Sequence, residues 1–151
     1  STSANKSADK SANLTDSNLT GNDSSCVLRI RWRDITLLLP GDIESTAEYQ
    51  LLDSGRLSGS APVDLLVAPH HGSKTSSTPR FVHQLRPKQV VFSAGYQHQF
   101  GHPHPSVSKR YGEVGSDLWN TAEQGAITFE WLLSGELEIT AARRQAQRWW
   151  R

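Results

Sequence analysis

Val63-Asp64-Leu65-Leu66-Val67-Ala68-Pro69-His70-His71-Gly72-Ser73-Lys74-Thr75-Ser76-Ser77 joins a short apolar run to a polar loop that begins with two imidazoles. The apolar half reads as a short buried strand. Open α/β sheets collect ligands in the crevice at the carboxyl ends of their strands, which is where His70 and His71 fall. Neutral imidazole is the commonest metal ligand among side chains. Paired histidines are also ordinary in surface loops, so a ligand role needs partners from elsewhere in the chain.

Upstream, Cys26 to Trp32 and Ile35 to Leu39 read as two strands joined by the turn Arg33-Asp34, and Pro40-Gly41 stops the second. Ile43, Ala47 and Leu51 recur at four-residue spacing and predict an amphipathic helix ended by Gly55 and Gly59. Downstream, Thr78-Pro79 opens a helix with proline in its first turn and Phe81, Val82 and Leu85 on its buried side. Gln89 to Ser93 is a further strand, and Pro105 starts a helix carrying Val107, Tyr111 and Val114. Strands follow at Asp117 to Asn120, Ala126 to Leu133 and Glu136 to Ala142, the last two flanking Ser134-Gly135 as a tight hairpin. This order predicts an α/β fold, a mixed sheet with helices packed over it.

At 151 residues the chain fits one domain. Sixteen basic and 15 acidic side chains leave a net charge of +1, which excludes a strongly basic nucleic-acid-binding surface spread over the whole molecule. Hydrophobic content is only 36%, and the deficit lies at the amino end. Residues 1–25 are nearly all Ser, Thr, Asn, Asp, Lys and Ala and are expected to form a disordered polar linker. Cys26 is the only cysteine, which rules out an internal disulfide or a paired-cysteine zinc site and leaves it as a small residue expected to be buried. No run approaches the roughly 18 apolar residues of a membrane span. There is no methionine at all, so the chain is expected to be a piece of a longer protein. The tail 143–151, with four arginines and Trp149-Trp150, reads as a basic, aromatic segment.

Three loops follow strands and hold candidate ligands: Gly41-Asp42, His70-His71, and the stretch from Gly95 to Pro105 with His98, His102 and His104. If their strands are neighbours, a carboxylate and several imidazoles converge at one sheet edge, a donor set suited to zinc or manganese. Each has a plainer use as well. Asp42 stands where a helix N-cap would stand. Pro103 between His102 and His104 can simply shape a turn, and His83 reads as a packing or solvated residue. Ser73, Lys74 and Ser76 are placed to contact a phosphate or to cap the following turn.

Leu39-Pro40-Gly41-Asp42-Ile43-Glu44, then Asp64 to Ser77, then Phe100-Gly101-His102-Pro103-His104-Pro105 resembles, in order and spacing, the metallo-β-lactamase-like domain of ComEC-type competence proteins, the channel proteins of bacterial DNA uptake. The resemblance covers roughly residues 26–142. It implies an αββα sandwich, a divalent ion (zinc or manganese) held by Asp42 with His70 or His71, and hydrolysis of DNA phosphodiesters by metal-activated water. Asp42, His71 and His104 are then the candidate catalytic residues, and His102, His104, Ser73 and Lys74 line the site or touch substrate. The His-x-His-x-Asp-His motif of such domains is absent, so the resemblance assigns this chain to the second half of the domain, with half of the ligands lying elsewhere and little activity expected of the chain alone.

The partners implied are DNA, the missing first half, and a transmembrane channel portion of the same protein at a bacterial inner membrane, with this domain on the extracytoplasmic side. A sheet edge left open could also pair two copies as a homodimer. Two other readings stand beside this one. The first is a hydrolase of another phosphodiester. The second is a non-catalytic DNA-binding module using Lys74, Arg80, Arg86, Lys88, Arg143, Arg144, Arg148 and Arg151, with Trp149 and Trp150 stacking on bases.

Overall fold

The turn at Arg33-Asp34 folds β1 (Leu28–Trp32) back on β2 (Ile35–Leu39) in antiparallel register, Trp32 opposite Ile35 and Leu28 opposite Leu39. The computed structural model describes residues 19–96 and 101–143 of the chain. After β2 come α1 (Ser45–Asp53), β3 (Leu65–Val67), α2 (Pro79–Leu85), β4 (Gln89–Phe92), α3 (Pro105–Glu113), β5 (Asp117–Asn120), α4 (Thr121–Gln124), β6 (Ile127–Trp131) and β7 (Leu137–Ala141). The first five strands form one sheet in the order β1-β2-β3-β4-β5, with β2 to β5 parallel, and β6 and β7 form a separate antiparallel hairpin. The fold is thus α/β with a mixed sheet, as the pattern of elements predicts.

Parallel crossovers share one hand, so a sheet whose strands follow chain order receives α1, α2 and α3 on the same side. The core lies there. Leu38, Leu66, Val90 and Phe92 point into it from the sheet and meet Ala47, Leu51, Phe81, Val82, Leu85, Val107 and Tyr111 from the helices, every one at most 4% exposed. Phe92 and Tyr111 pack edge to face at 6.0 Å between ring centres. The alternate residues of the same strands, Leu28, Ile30, Ile35, Leu37, Leu39, Leu65, Val67 and Val91, face the other way and are only half-buried. Trp32, also on that side, is 41% exposed. The β6–β7 hairpin covers part of it. Phe129 packs on Trp119 at 5.8 Å, and a cavity of about 290 Å³ separates Trp131 and Leu137 from Ile35, Asp64 and Gln89.

Helix starts follow their sequence signals where the cap is local. Thr78 caps α2 by accepting the Phe81 N–H, and His104 caps α3 by accepting the Ser106 N–H on Nδ1. The first helix begins two residues later than its apolar spacing predicts, at Ser45 rather than Ile43. Asp42 is not its cap. Asp23 is, from 21 residues upstream, its Oδ1 accepting from Glu44 N at 2.7 Å and Ala47 N at 3.4 Å. That contact moves the boundary of the folded region. Residues 19–25, expected to be linker, form a turn at Gly21–Ser24 and pack Leu19 on the core. Cys26 is exposed rather than buried, because strand alternation turns Val27 inward instead, at 3% exposed. The α4 turn, capped by Asn120, was not expected at all. Arg144, Arg148, Trp149, Trp150 and Arg151 of the tail, and His98 of the loop after β4, lie outside the described residues.

Candidate functional site

Three parallel strands end side by side, and each hands its next residues to the same edge of the sheet. The loop after β2 carries Asp42 and Glu44, the loop after β3 carries His70 and His71, and the loop after β4 begins with Ser93. The His70 N–H donates to Gly41 O at 3.1 Å, which ties the first two loops together. The His104 N–H donates to Gly72 O at 2.9 Å and brings the His-Pro-His segment against the second.

Between Pro69 and Ser73 the backbone turns through three left-handed residues in succession: His70 at φ 47°, His71 at φ 56° and Gly72 at φ 82°. Side chains other than glycine and asparagine seldom adopt this conformation, and it persists only where surrounding contacts impose it. At Gly72 the restriction is steric too. A Cβ there would stand 2.7 Å from Phe92 Cδ1 and 2.9 Å from Pro103 Cβ. The tight turn sends the two imidazoles in different directions, their rings 6.3 Å apart and tilted by 59°.

His71 reaches Asp42, with Nε2 3.4 Å from Oδ1 and both side chains a little under half exposed. Its Nδ1 lies 3.0 Å from Ser93 Oγ. In the tautomer that places the hydrogen on Nδ1, Ser93 accepts it and Nε2 presents its lone pair beside the carboxylate, the arrangement in which an outer partner orients a ligand histidine. His70 instead turns to Glu44, Nδ1 3.0 Å from Oε1, with Thr75 Oγ1 at 3.3 Å. Asn22 Nδ2 donates to the same Glu44 oxygen at 3.1 Å. His102 sits against His70 at 6.1 Å between rings. His104 is occupied at the start of α3, where Nδ1 also contacts Ser106 Oγ at 2.8 Å. Ser73 is 7% exposed and its hydroxyl meets Thr75 Oγ1 at 3.1 Å, whereas Lys74 is exposed on the same loop.

The structure therefore joins Asp42 with His71, groups His70 with His102, and gives His104 to a helix cap. Glu44 and Ser93 were not picked out from the sequence, although both follow the rule that selected His70: polar residues just beyond the carboxyl end of a parallel strand. As donors, Asp42 and His71 suit a divalent ion. Their 3.4 Å separation is close to one edge of a tetrahedron with metal–ligand distances of about 2.0–2.1 Å. Two donors do not make a site, and among the described residues no group of three or more His, Cys, Asp or Glu side chains is placed to hold an ion.

Beneath the loop lies a buried polar anchor. Glu48 of α1, fully buried, accepts the backbone N–H groups of Ser77 and Thr78. Tyr111 donates its hydroxyl to Ser77 Oγ at 2.9 Å, and Arg110 donates to Ser77 O. Burial pushes the Glu48 carboxyl up from its ordinary value of 4.5, opposed by the Thr78 N–H and hydroxyl, the Ser77 N–H and the Arg110 charge. Burial likewise pushes the Tyr111 phenol up. The anchor fastens the far end of the imidazole loop to the helix that follows Asp42.

No described helix is long and apolar enough to cross a membrane, and no protein-family model matches the chain. Individual proteins do. The chain is 36% identical over 112 residues to competence protein ComA of Neisseria gonorrhoeae, which covers 74% of this chain and 16% of that protein. It is 30% identical over 110 residues to ComE operon protein 3 of Bacillus subtilis, covering 73% and 14%. It is 33% identical over 129 residues to recombination protein 2 of Haemophilus influenzae, covering 85% and 16%. Over most of its length the chain is homologous to a segment of these proteins, and it spans about a sixth of their length.

Proposed function

We propose that the chain is part of a ComEC-type competence protein, the second half of a metallo-β-lactamase-like domain that hydrolyses DNA phosphodiesters during uptake. The observation that carries this reading is the Asp42–His71 pair, two donors delivered from separate loops to one sheet edge and oriented from behind by Ser93. The homology to proteins named for competence and recombination supports the biological setting, and an extracytoplasmic location beside a membrane channel belongs to the same proposal. The half-buried apolar face supports the αββα architecture. Two sheets packed face to face would bury Leu28, Ile30, Leu37, Leu39 and Val67 as thoroughly as the helices bury Leu38 and Leu66.

Within that reading this chain supplies half of a site. Asp42 and His71 contribute two ligands, and residues of the longer polypeptide contribute the rest. Asp42 and His71, with those further ligands, would hold a divalent ion, zinc or manganese, which would supply electrophilic activation of water towards a phosphodiester. Ser93 holds the His71 ring and its tautomer, Glu44 holds His70 out of the pair, and the Glu48 anchor fixes the loop between them.

The test is DNA cleavage by the longer protein with added manganese or zinc. Asp42→Asn and His71→Ala are expected to lower cleavage by about 100-fold or more, since even residues that only orient metal ligands cost about 10–100-fold. A longer protein that cleaves no DNA with either ion overturns the hydrolytic reading.

A further inference from the structure

We propose that Tyr96 and Arg143 form a grip for a nucleic-acid strand beside the Asp42–His71 pair, the phenol ring receiving an unstacked base and the guanidinium a backbone phosphate. The proposal rests on the reading that this edge acts on DNA and names how the strand is held there. Tyr96 is 66% exposed, more than any other aromatic side chain among the described residues. An exposed ring normally leaves Tyr free to rotate. This one has the Arg143 guanidinium 4.4 Å from its ring centre, a stacking that holds both planes.

Arg143 is itself held. Its Nη1 donates to Ala122 O, and its stem runs past Gly125, where a Cβ would stand 3.1 Å from Arg143 Cγ. A guanidinium has five N–H donors and no acceptor, so the bond to Ala122 leaves donors for a second oxygen. No carboxylate among the described residues stands within ion-pair distance of it. A stiffened cation and a stacked aromatic ring make the combination that binds single strands: charge for the backbone, a π-face for the base.

The position relates the grip to the pair. Thr121 Oγ1, at the carboxyl end of β5, donates to Ala94 O at 2.8 Å and to Phe92 O at 3.3 Å, which draws the start of α4 and the loop after β4 together. Ser93, whose hydroxyl touches His71 Nδ1, is three residues before Tyr96, a span of at most about 11 Å of backbone. Reading along the edge, the carboxylate and imidazole stand over β2 and β3, the serine over β4, and the ring and guanidinium between β4 and β5. A strand laid along this edge meets both. The only other guanidinium stacked on an aromatic ring among the described residues is Arg33 over Trp32, 4.6 Å from the ring centre at the β1–β2 turn, on the opposite edge. It serves as an internal control.

The experiment measures affinity by fluorescence anisotropy, for the full 151-residue chain and for the longer protein, using a single-stranded oligonucleotide and an abasic one of equal length. Tyr96→Ala is expected to weaken binding of the base-bearing strand about tenfold and binding of the abasic strand by much less, since Ala122 O still holds Arg143. Arg143→Gln is expected to weaken both and to reduce the slope of log affinity against log salt by about 0.7. Arg33→Gln is expected to change neither. The grip is overturned if Tyr96→Ala leaves both affinities unchanged or lowers them equally, or if Arg33→Gln matches Arg143→Gln. Thermal melting of each variant at the wild-type temperature shows that the fold is intact. A protein that binds through Tyr96 and Arg143 but never cleaves removes the hydrolytic reading alone. One that cleaves and loses activity in Asp42→Asn, with normal binding in the Tyr96 and Arg143 variants, removes the grip alone.

Discussion

The two faces of the five-stranded sheet are built from the same kinds of residue and meet very different surroundings. On the helix face Leu38, Leu66 and Val90 are fully buried. One residue along, on the opposite face, Leu37, Leu65 and Val91 are only half-buried, covered in part by the β6–β7 hairpin. Adjacent side chains of equal hydrophobicity thus differ in how much water they have lost, and burial rather than residue type sets their contribution. The face under the helices is thus a finished core, whereas the other is a surface that has kept its apolar character without a complete cover. Soluble chains rarely leave large contiguous apolar patches exposed unless something binds there.

Truncations at two neighbouring positions should separate the two faces most strongly. Leu66→Ala is expected to cost about 2–5 kcal/mol in the chain alone, the range for a leucine removed from a packed core. Leu65→Ala is expected to cost under half as much. Denaturant titration of both variants measures the gap. Equal costs would mean that the second face is as well covered as the first. In the longer protein the Leu65→Ala cost should rise, if a second sheet packs there.

A smaller effect tests the polar anchor on the helix face. Glu48→Gln leaves one of the two loop N–H groups facing an amide NH2 and is expected to cost about 1–3 kcal/mol. The cost should depend on pH with a known sign. Because burial raises the Glu48 pKa above 4.5, the native state holds the proton more tightly than the unfolded chain. Its stabilising contribution is complete below the unfolded value and is lost as pH rises through the folded one. The gap between wild type and Glu48→Gln should therefore narrow as pH is raised from below 4.5, and stability curves across that range would detect a widening gap instead. Least costly is Thr78→Ala, which removes the α2 cap accepting from Phe81 N. It is expected to cost about 1 kcal/mol, measured by the same titration, with no change in the Leu65/Leu66 gap.

Several elements were legible in the sequence because their signals are local. Thr78-Pro79 and Pro105 announce helix starts, and Ser134-Gly135 and Arg33-Asp34 announce hairpins, since caps and turns are made by residues within a few positions of one another. The cap of α1 was not legible. Asp23 supplies it across 21 residues, from a segment whose composition reads as unfolded, and one carboxylate in such a tract carries no local mark. The site divides in the same way. Asp42, His70 and His71 could be picked out because each follows a strand, but which imidazole meets the carboxylate could not. Successive left-handed residues turn His71 to Asp42 and His70 to Glu44.

Periodicity and local signals along the chain gave every strand and every helix but α4, the loops that carry polar donors, and the motifs shared with competence proteins. Those follow from periodicity, from turn chemistry and from short motifs, all readable along the chain. That the strands lie in chain order, so that one face receives every crossover helix and the other is left half-covered, emerges in three dimensions alone. So does the split of the histidine pair at 70 and 71, one ring to each acid. Handedness of crossovers and the direction of a side chain in a strained turn are properties of three-dimensional packing, where contacts between residues far apart in sequence outweigh local preference.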